Sequence, residues 1–74
     1  KMKILKSGDA YFNLNLLDAF YFLDPYKRLT LGSGDIQRDL QVNPAKYQEF
    51  KTKLYEFIVN SEVVMDISDY LAKQ

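Results

Sequence analysis

The clearest periodic pattern in the chain lies just after its middle, between residues 43 and 58. Asn43 can accept a hydrogen bond from a free N–H at a helix start, and Pro44 suits the first helical position. Apolar residues then recur at intervals of three and four, as on one face of a helix: Tyr47, Phe50, Leu54, Phe57 and Ile58. The pattern predicts an amphipathic helix over about 44–60 that needs a partner for its apolar face.

The residues before this helix alternate between apolar and polar positions, which is typical of half-buried strands. In the run 10–16, for example, Ala10, Phe12, Leu14 and Leu16 share one face. Turn residues separate the runs, and Gly32-Ser33-Gly34-Asp35 is interpreted as a hairpin turn because a strand pattern follows it. The predicted extended segments are 2–6, 10–16, 19–23, 28–31 and 36–42.

The C-terminal residues fit two descriptions. Val63, Met65 and Ile67 alternate like a strand, but the residues from Val63 to Leu71 also match helical spacing. The β-branched residues near the start of this tail favour a short strand over 62–67, followed by a terminal helical turn.

Together these segments predict a single α+β domain spanning residues 1–74. We expect an antiparallel sheet of four or five short strands, packed against the helix in the order ββββα, with a short strand or helical turn at the C-terminus. The sheet residues expected to meet the helix are Phe12, Leu14, Leu16, Leu29, Leu31, Leu40 and Val42. Lys1 precedes Met2, an arrangement that a tag remnant before the native start would explain.

The amino-acid composition excludes several kinds of catalytic and metal-binding site. The chain has no Cys and no His, which excludes disulfides, cysteine nucleophiles, histidine-based triads and ordinary structural zinc sites. The Asp residues lie mostly in predicted turns, where this residue is favoured for local hydrogen bonds. We therefore expect no enzyme, no cofactor and no metal. No segment has the length and apolarity of a membrane span, and the lack of Cys suits a reducing cytoplasm.

Aromatic residues are more numerous than a small sheet and one helix can hide. The chain contains six Tyr and five Phe in 74 residues, and Tyr is favoured at interfaces because its body is apolar and its tip polar. We expect an interface, most simply of a homodimer, formed by Phe20, Tyr21, Phe22, Tyr26 and Tyr55. The corresponding function is a small non-enzymatic protein–protein interaction or regulatory accessory module. The excess of Lys over Arg suits a bacterial or phage origin.

The alternative is a protein that binds single-stranded nucleic acid, because exposed aromatics flanked by cations can stack bases and follow a phosphate backbone. The residues available for this are Lys3, Tyr11, Tyr21, Lys27 and Arg28. The predicted order of four strands and a helix resembles that of the PC4-like single-strand DNA-binding coactivators, which implies paired subunits whose sheets grip DNA. The chain departs from that expectation in having zero net charge.

Overall fold

The computed structural model describes residues 2–73; Lys1, the suggested tag remnant, lies outside the described residues. It contains six strands and one α-helix: β1 Ile4–Ser7, β2 Ala10–Asn13, β3 Ala19–Leu23, β4 Arg28–Ser33, β5 Ile36–Gln41, α1 Tyr47–Val59 and β6 Val64–Asp66. Short 3-10 turns occupy Leu14–Leu16, Asp24–Tyr26, Pro44–Lys46 and Ser68–Tyr70. The α+β class is confirmed. None of the helices in the described part of the chain is long and apolar enough to cross a membrane.

The strands form two three-stranded sheets, so the prediction of a single sheet of four or five strands is wrong. The N-terminal sheet has the order β2-β1-β6, with β1 antiparallel to β2 and parallel to β6. The meander sheet is antiparallel and has the order β3-β4-β5. The chain changes from one sheet to the other at the turn Leu14–Leu16.

In that turn, Asn side chains accept hydrogen bonds from backbone N–H groups that a continued strand would direct to a neighbouring strand. The Asn15 N–H donates to Oδ1 of Asn13 at 2.9 Å, and the Lys3 N–H donates to Oδ1 of Asn15 at 2.8 Å. Such local bonds compete with a strand ladder. The predicted strand 10–16 therefore ends at Asn13, and Leu16, which we expected in the core, is 72% exposed.

The meander sheet is built from two short reversals. A 3-10 turn joins β3 to β4 and ends at Lys27, which adopts a left-handed conformation with φ 52°. Gly34 lies at the tip of the hairpin between β4 and β5, with φ 60°, where a residue without a side chain is favoured. The hairpin interpretation of residues 32–35 is thus confirmed.

The predicted helix is present, with a tighter first turn. The side chain of Asn43 accepts from the Ala45 N–H at 3.0 Å, and Pro44 begins a 3-10 turn that continues as α1. The helix buries Tyr47, Phe50, Leu54 and Phe57 as expected. Ile58, expected on the same face, is 37% exposed at the edge of that face.

The C-terminal tail follows the favoured description of a strand and then a helical turn. β6 lies beside β1, and the turn Ser68–Tyr70 places the Tyr70 ring in a stacked contact with Phe50, with ring centroids 5.0 Å apart. The core lies between the two sheets, α1 and this tail. Its buried apolar side chains are Leu5, Leu14, Leu29, Leu31, Val42, Tyr47, Phe50, Leu54, Phe57 and Ile67.

Candidate interaction surface

A cleft of about 240 Å³ lies where strand β3 runs beside helix α1. We call it the β3–α1 cleft; it is lined by Phe20, Tyr21 and Phe22 from the strand and by Lys51, Leu54, Tyr55 and Ile58 from the helix. The helical members are spaced by three or four residues, so they project from one side of α1. The cleft is therefore a product of two regular elements and not of a loop.

The lining of the cleft is apolar, and much of it reaches the solvent. Tyr21 is 46% exposed, Tyr55 is 67% exposed and Ile58 is 37% exposed. Lys51 supplies the charge in the lining, and its Nζ lies 3.0 Å from Oδ1 of Asp24. A surface of this kind can lose water on contact with a partner without leaving a charge unpaired.

The inner side of the cleft is held by aromatic packing. The ring of Phe22 meets the rings of Tyr47 and Phe50 edge to face, with centroids 5.7 Å and 5.6 Å apart. Leu54, which is 1% exposed, connects the cleft to the core. A partner would meet a surface whose shape is already fixed, which reduces the ordering that binding requires.

One end of the cleft is fixed by a cluster around Asp24. The hydroxyl of Tyr47 donates to Oδ1 of Asp24 at 2.5 Å, and the Lys51 ammonium donates to the same oxygen at 3.0 Å. The bond from Tyr47, together with that from Lys51, lowers the pKa of Asp24. Burial, aided by the bond to Asp24, raises the pKa of Tyr47 to about 12. The cluster ties the turn after β3 to the start of α1.

Four of the five residues predicted at an interface line this cleft: Phe20, Tyr21, Phe22 and Tyr55. Tyr26 lies in the turn after β3 and is 62% exposed, and its ring is 4.8 Å from the Arg28 guanidinium. Sequence reasoning missed Lys51 and Ile58 as cleft residues. The spacing of Lys51, Tyr55 and Ile58 along the helix is a signal that could have grouped them beside the buried face.

The residues of the nucleic-acid alternative are divided between the two sheets. Lys3 and Tyr11 belong to the N-terminal sheet region, whereas Tyr21 and Arg28 lie in the meander sheet and Lys27 directly precedes β4. Tyr11 is 64% exposed.

The cations of this set are already engaged within the chain. Lys3 is buried, and its ammonium donates to the carbonyl oxygens of Phe57 at 2.8 Å and Glu62, as well as to Asn60. Lys27 donates to the Asp24 carbonyl at 3.1 Å, and its ammonium lies 5.1 Å from the Tyr47 ring. Arg28 is paired with Asp39, with 3.5 Å between Nη1 and Oδ2.

Two further clefts lie near the C-terminal end of α1. One of about 360 Å³, against β6, has mixed charges that include Lys53, Glu56 and Asp66. The other, of similar volume, lies around Lys3, Asn15 and Ile58. Among residues 2–73, no group of three or more acidic, Cys or His residues is arranged to hold a metal ion.

Comparison with protein-family models, with curated protein sequences and with solved structures gave no match to this chain.

Proposed function

We propose that this chain is a non-enzymatic protein–protein interaction module that acts as a homodimer through the β3–α1 cleft. The observation that carries the proposal is an apolar cleft between two regular elements, lined by aromatic residues of β3 and α1, at which Tyr55 and Ile58 are exposed. We place it as a small cytoplasmic accessory or regulatory protein of bacterial or phage origin, in keeping with its lack of Cys and its excess of Lys over Arg.

The energetic support comes from Tyr55, which is exposed and lines the cleft, and from Tyr21, which is exposed on the opposite face of the same strand β3. Aromatic side chains bury about 150–250 Å² each and dominate the energetics of interfaces. Tyr is also among the residues that most often carry binding energy near the centre of a contact surface. In the cleft, Tyr55 and the exposed edge of Ile58 give a partner apolar area to cover, above a floor that contains the buried Leu54 and the packed Phe22.

A second copy of the chain is the partner that the charge favours. Zero net charge means that two copies do not repel each other over long range. The cleft itself contributes one cation, Lys51, and that cation is paired with Asp24 inside its own subunit.

The test is the solution mass measured by light scattering over a concentration series. We expect a mass of twice 8.7 kDa for the unmodified chain and 8.7 kDa for Tyr55→Glu, because the substitution puts a carboxylate into the apolar contact. Tyr11→Glu is the matched control, since Tyr11 is exposed to a similar degree but lies on β2, outside the cleft. Equal masses for the two variants would contradict this assignment of the surface.

Binding of single-stranded nucleic acid is the second candidate function, and the exposure of Tyr11 and Tyr21 favours it. We rank it below self-association because its cations have partners within the chain. The test is the fluorescence anisotropy of a labelled single-stranded oligonucleotide at low salt. A rise in anisotropy that disappears steeply with added salt would support this function, and an unchanged anisotropy at micromolar protein would exclude it.

A further inference from the structure

We infer that β3 pairs antiparallel with β3 of a second copy, across a twofold axis that passes beside Tyr21. The two meander sheets would then join as one six-stranded sheet. This inference rests on the proposed self-association and names the strand, the direction and the register by which it occurs.

The first support is the row of unpaired backbone groups along β3. This strand has β4 on one side and no strand on the other. The Val42 N–H donates to the Lys27 carbonyl at 2.9 Å, and hydrogen-bonding directions alternate along β4 from that point. Thr30 therefore bonds towards Tyr21 of β3, and the N–H and C=O groups of Phe20 and Phe22 point away from the sheet.

These outward groups have no partner within residues 2–73, either from the backbone or from a side chain. An open row of N–H and C=O groups is a template for another strand, and proteins usually protect such an edge with charges, proline, a bulge or a covering segment. β3 has the sequence Ala-Phe-Tyr-Phe-Leu, without a charge or a proline.

Two of the other edge strands carry such protection. β5 has Arg38 and Asp39, and the tail covers its end, where the Ala72 N–H donates to the Gln41 carbonyl at 2.9 Å. β6 is three residues long and contains Asp66. β2 is uncharged but short, and the Arg38 guanidinium lies 5.8 Å from the Phe12 ring. β3 is thus the longest edge strand in residues 2–73 that has neither a charge nor a proline.

The second support is the near-palindromic sequence of β3, which identifies a second copy as the occupant. Pairing around Tyr21 places Phe20 of each copy opposite Phe22 of the other. In this register the outward N–H and C=O groups of both Phe residues meet complementary groups, and Tyr21 faces Tyr21 of the second copy across the axis. Pairing with a strand of an unrelated protein would not require the sequence of β3 to be symmetric about Tyr21.

The third support comes from the cleft beside the strand. A twofold axis perpendicular to the joined sheet puts both copies of α1 on the same side of it. Tyr55 and Ile58, which line the cleft and are exposed, would then approach their counterparts on the second copy. At each end of the paired strands, Asp18 of one copy faces Asp24 of the other. The Asp24 carboxylate lies 3.0 Å from the Lys51 ammonium of its own subunit, so a cation accompanies the two facing carboxylates.

The test is disulfide cross-linking of single-cysteine variants, which the chain allows because it has no Cys of its own. Directly opposed side chains in an antiparallel pair have Cβ atoms about 4.5–5.5 Å apart, close to the spacing that a disulfide needs. Tyr21→Cys is therefore expected to give a disulfide-linked dimer on mild oxidation, seen on a non-reducing gel.

Ala19→Cys is the matched control on the same strand. Ala19 is exposed, but in the proposed register its two copies are separated by about 14 Å along the strand direction, at about 3.4 Å per residue. It should remain monomeric on the gel. A mixture of Ala19→Cys and Leu23→Cys chains should form a mixed disulfide, because these positions oppose each other; this second measurement does not depend on replacing Tyr21.

Cross-linking tests the strand pairing and its register, whereas light scattering tests whether the chain self-associates. A dimer mass by light scattering without cross-linking of Tyr21→Cys, or with equal cross-linking of Ala19→Cys, would overturn the strand pairing and leave the homodimer standing. A mass of 8.7 kDa at every concentration would overturn both.

Discussion

Lys3 satisfies carbonyl oxygens at the C-terminal end of α1 with its ammonium group. It is 9% exposed, and its ammonium donates to main-chain oxygens where α1 ends, while lying 4.6 Å from the centre of the Phe57 ring. A cation is favoured at this end of a helix, where carbonyl groups lack partners. Its position near the start of the chain gave no sign of these contacts, since the acceptors lie more than fifty residues away.

Replacing this cation should cost stability. We expect Lys3→Met to lower the free energy of unfolding by about 1.5–3 kcal/mol, because buried carbonyl oxygens lose a charged donor. The matched control is Lys6→Met on the adjoining strand β1, since Lys6 makes a weak ion pair with Asp66 at 4.0 Å; it should cost less than about 1 kcal/mol. Urea unfolding measures both, and equal losses would refute the capping role of Lys3.

The hydrogen bond between Tyr47 and Asp24 makes stability depend on pH. The pKa of Tyr47 is raised from its ordinary 10 to about 12, so the folded protein retains this proton where the unfolded chain has lost it. The resulting stabilisation is complete below pH 10 and disappears as the pH rises to about 12. Asp24 acts in the opposite direction: its lowered pKa gives stability above its ordinary value of 3.8 that is lost on acidification.

We therefore expect the free energy of unfolding to fall more steeply between pH 10 and about 12 in the unmodified chain than in Tyr47→Phe. The variant keeps the ring and lacks the ionisable hydroxyl. Tyr11→Phe removes a hydroxyl from an exposed ring and serves as the control. Denaturant unfolding at several pH values measures the difference, and identical pH dependence in Tyr47→Phe and the unmodified chain would show that this hydroxyl does not contribute.

Sequence patterns predicted an element correctly where the hydrogen bonds that form the element join residues close in the chain. Asn43, Pro44 and the spacing of the apolar residues predicted α1 because capping and helical periodicity act within a few residues. The strand 10–16 was predicted too long because Asn13 and Asn15 fit an alternating pattern as well as they fit a turn. What decides between these is the Lys3 backbone at the start of the neighbouring strand, which bonds both Asn15 and Leu14.

The buried face of α1 packs the helix into the core. Leu54→Ala should lower the free energy of unfolding by about 2–5 kcal/mol, since it opens a cavity between the helix and the sheets. Val59→Ala, at an exposed position of the same helix, should change it by less than about 0.5 kcal/mol. A loss below about 1 kcal/mol for Leu54→Ala in urea unfolding would contradict the packing of α1.

The division of the strands into two sheets did not follow from the sequence, although the α+β class and most strand positions did. Strand patterns do not state which strands pair, and the parallel pairing of β6 with β1 joins opposite ends of the chain. The aromatic surplus was a better guide to the candidate site. Four of its five predicted residues line one cleft, whereas Lys51 and Ile58 joined it through the packing of α1 against β3.

Pairing of β3 with a second copy, as we propose, would cover the open edge of this strand in solution, and residue-resolved amide hydrogen exchange measures that cover. We predict that the Phe20 and Phe22 amides exchange as slowly as the Tyr21 amide, which bonds to β4 within the subunit. Their protection should decrease on dilution below the dimer dissociation constant, while that of Tyr21 persists. Fast exchange of both Phe amides at high protein concentration, next to a protected Tyr21 amide, would show that the edge is unpaired and would contradict the pairing of β3 between two copies.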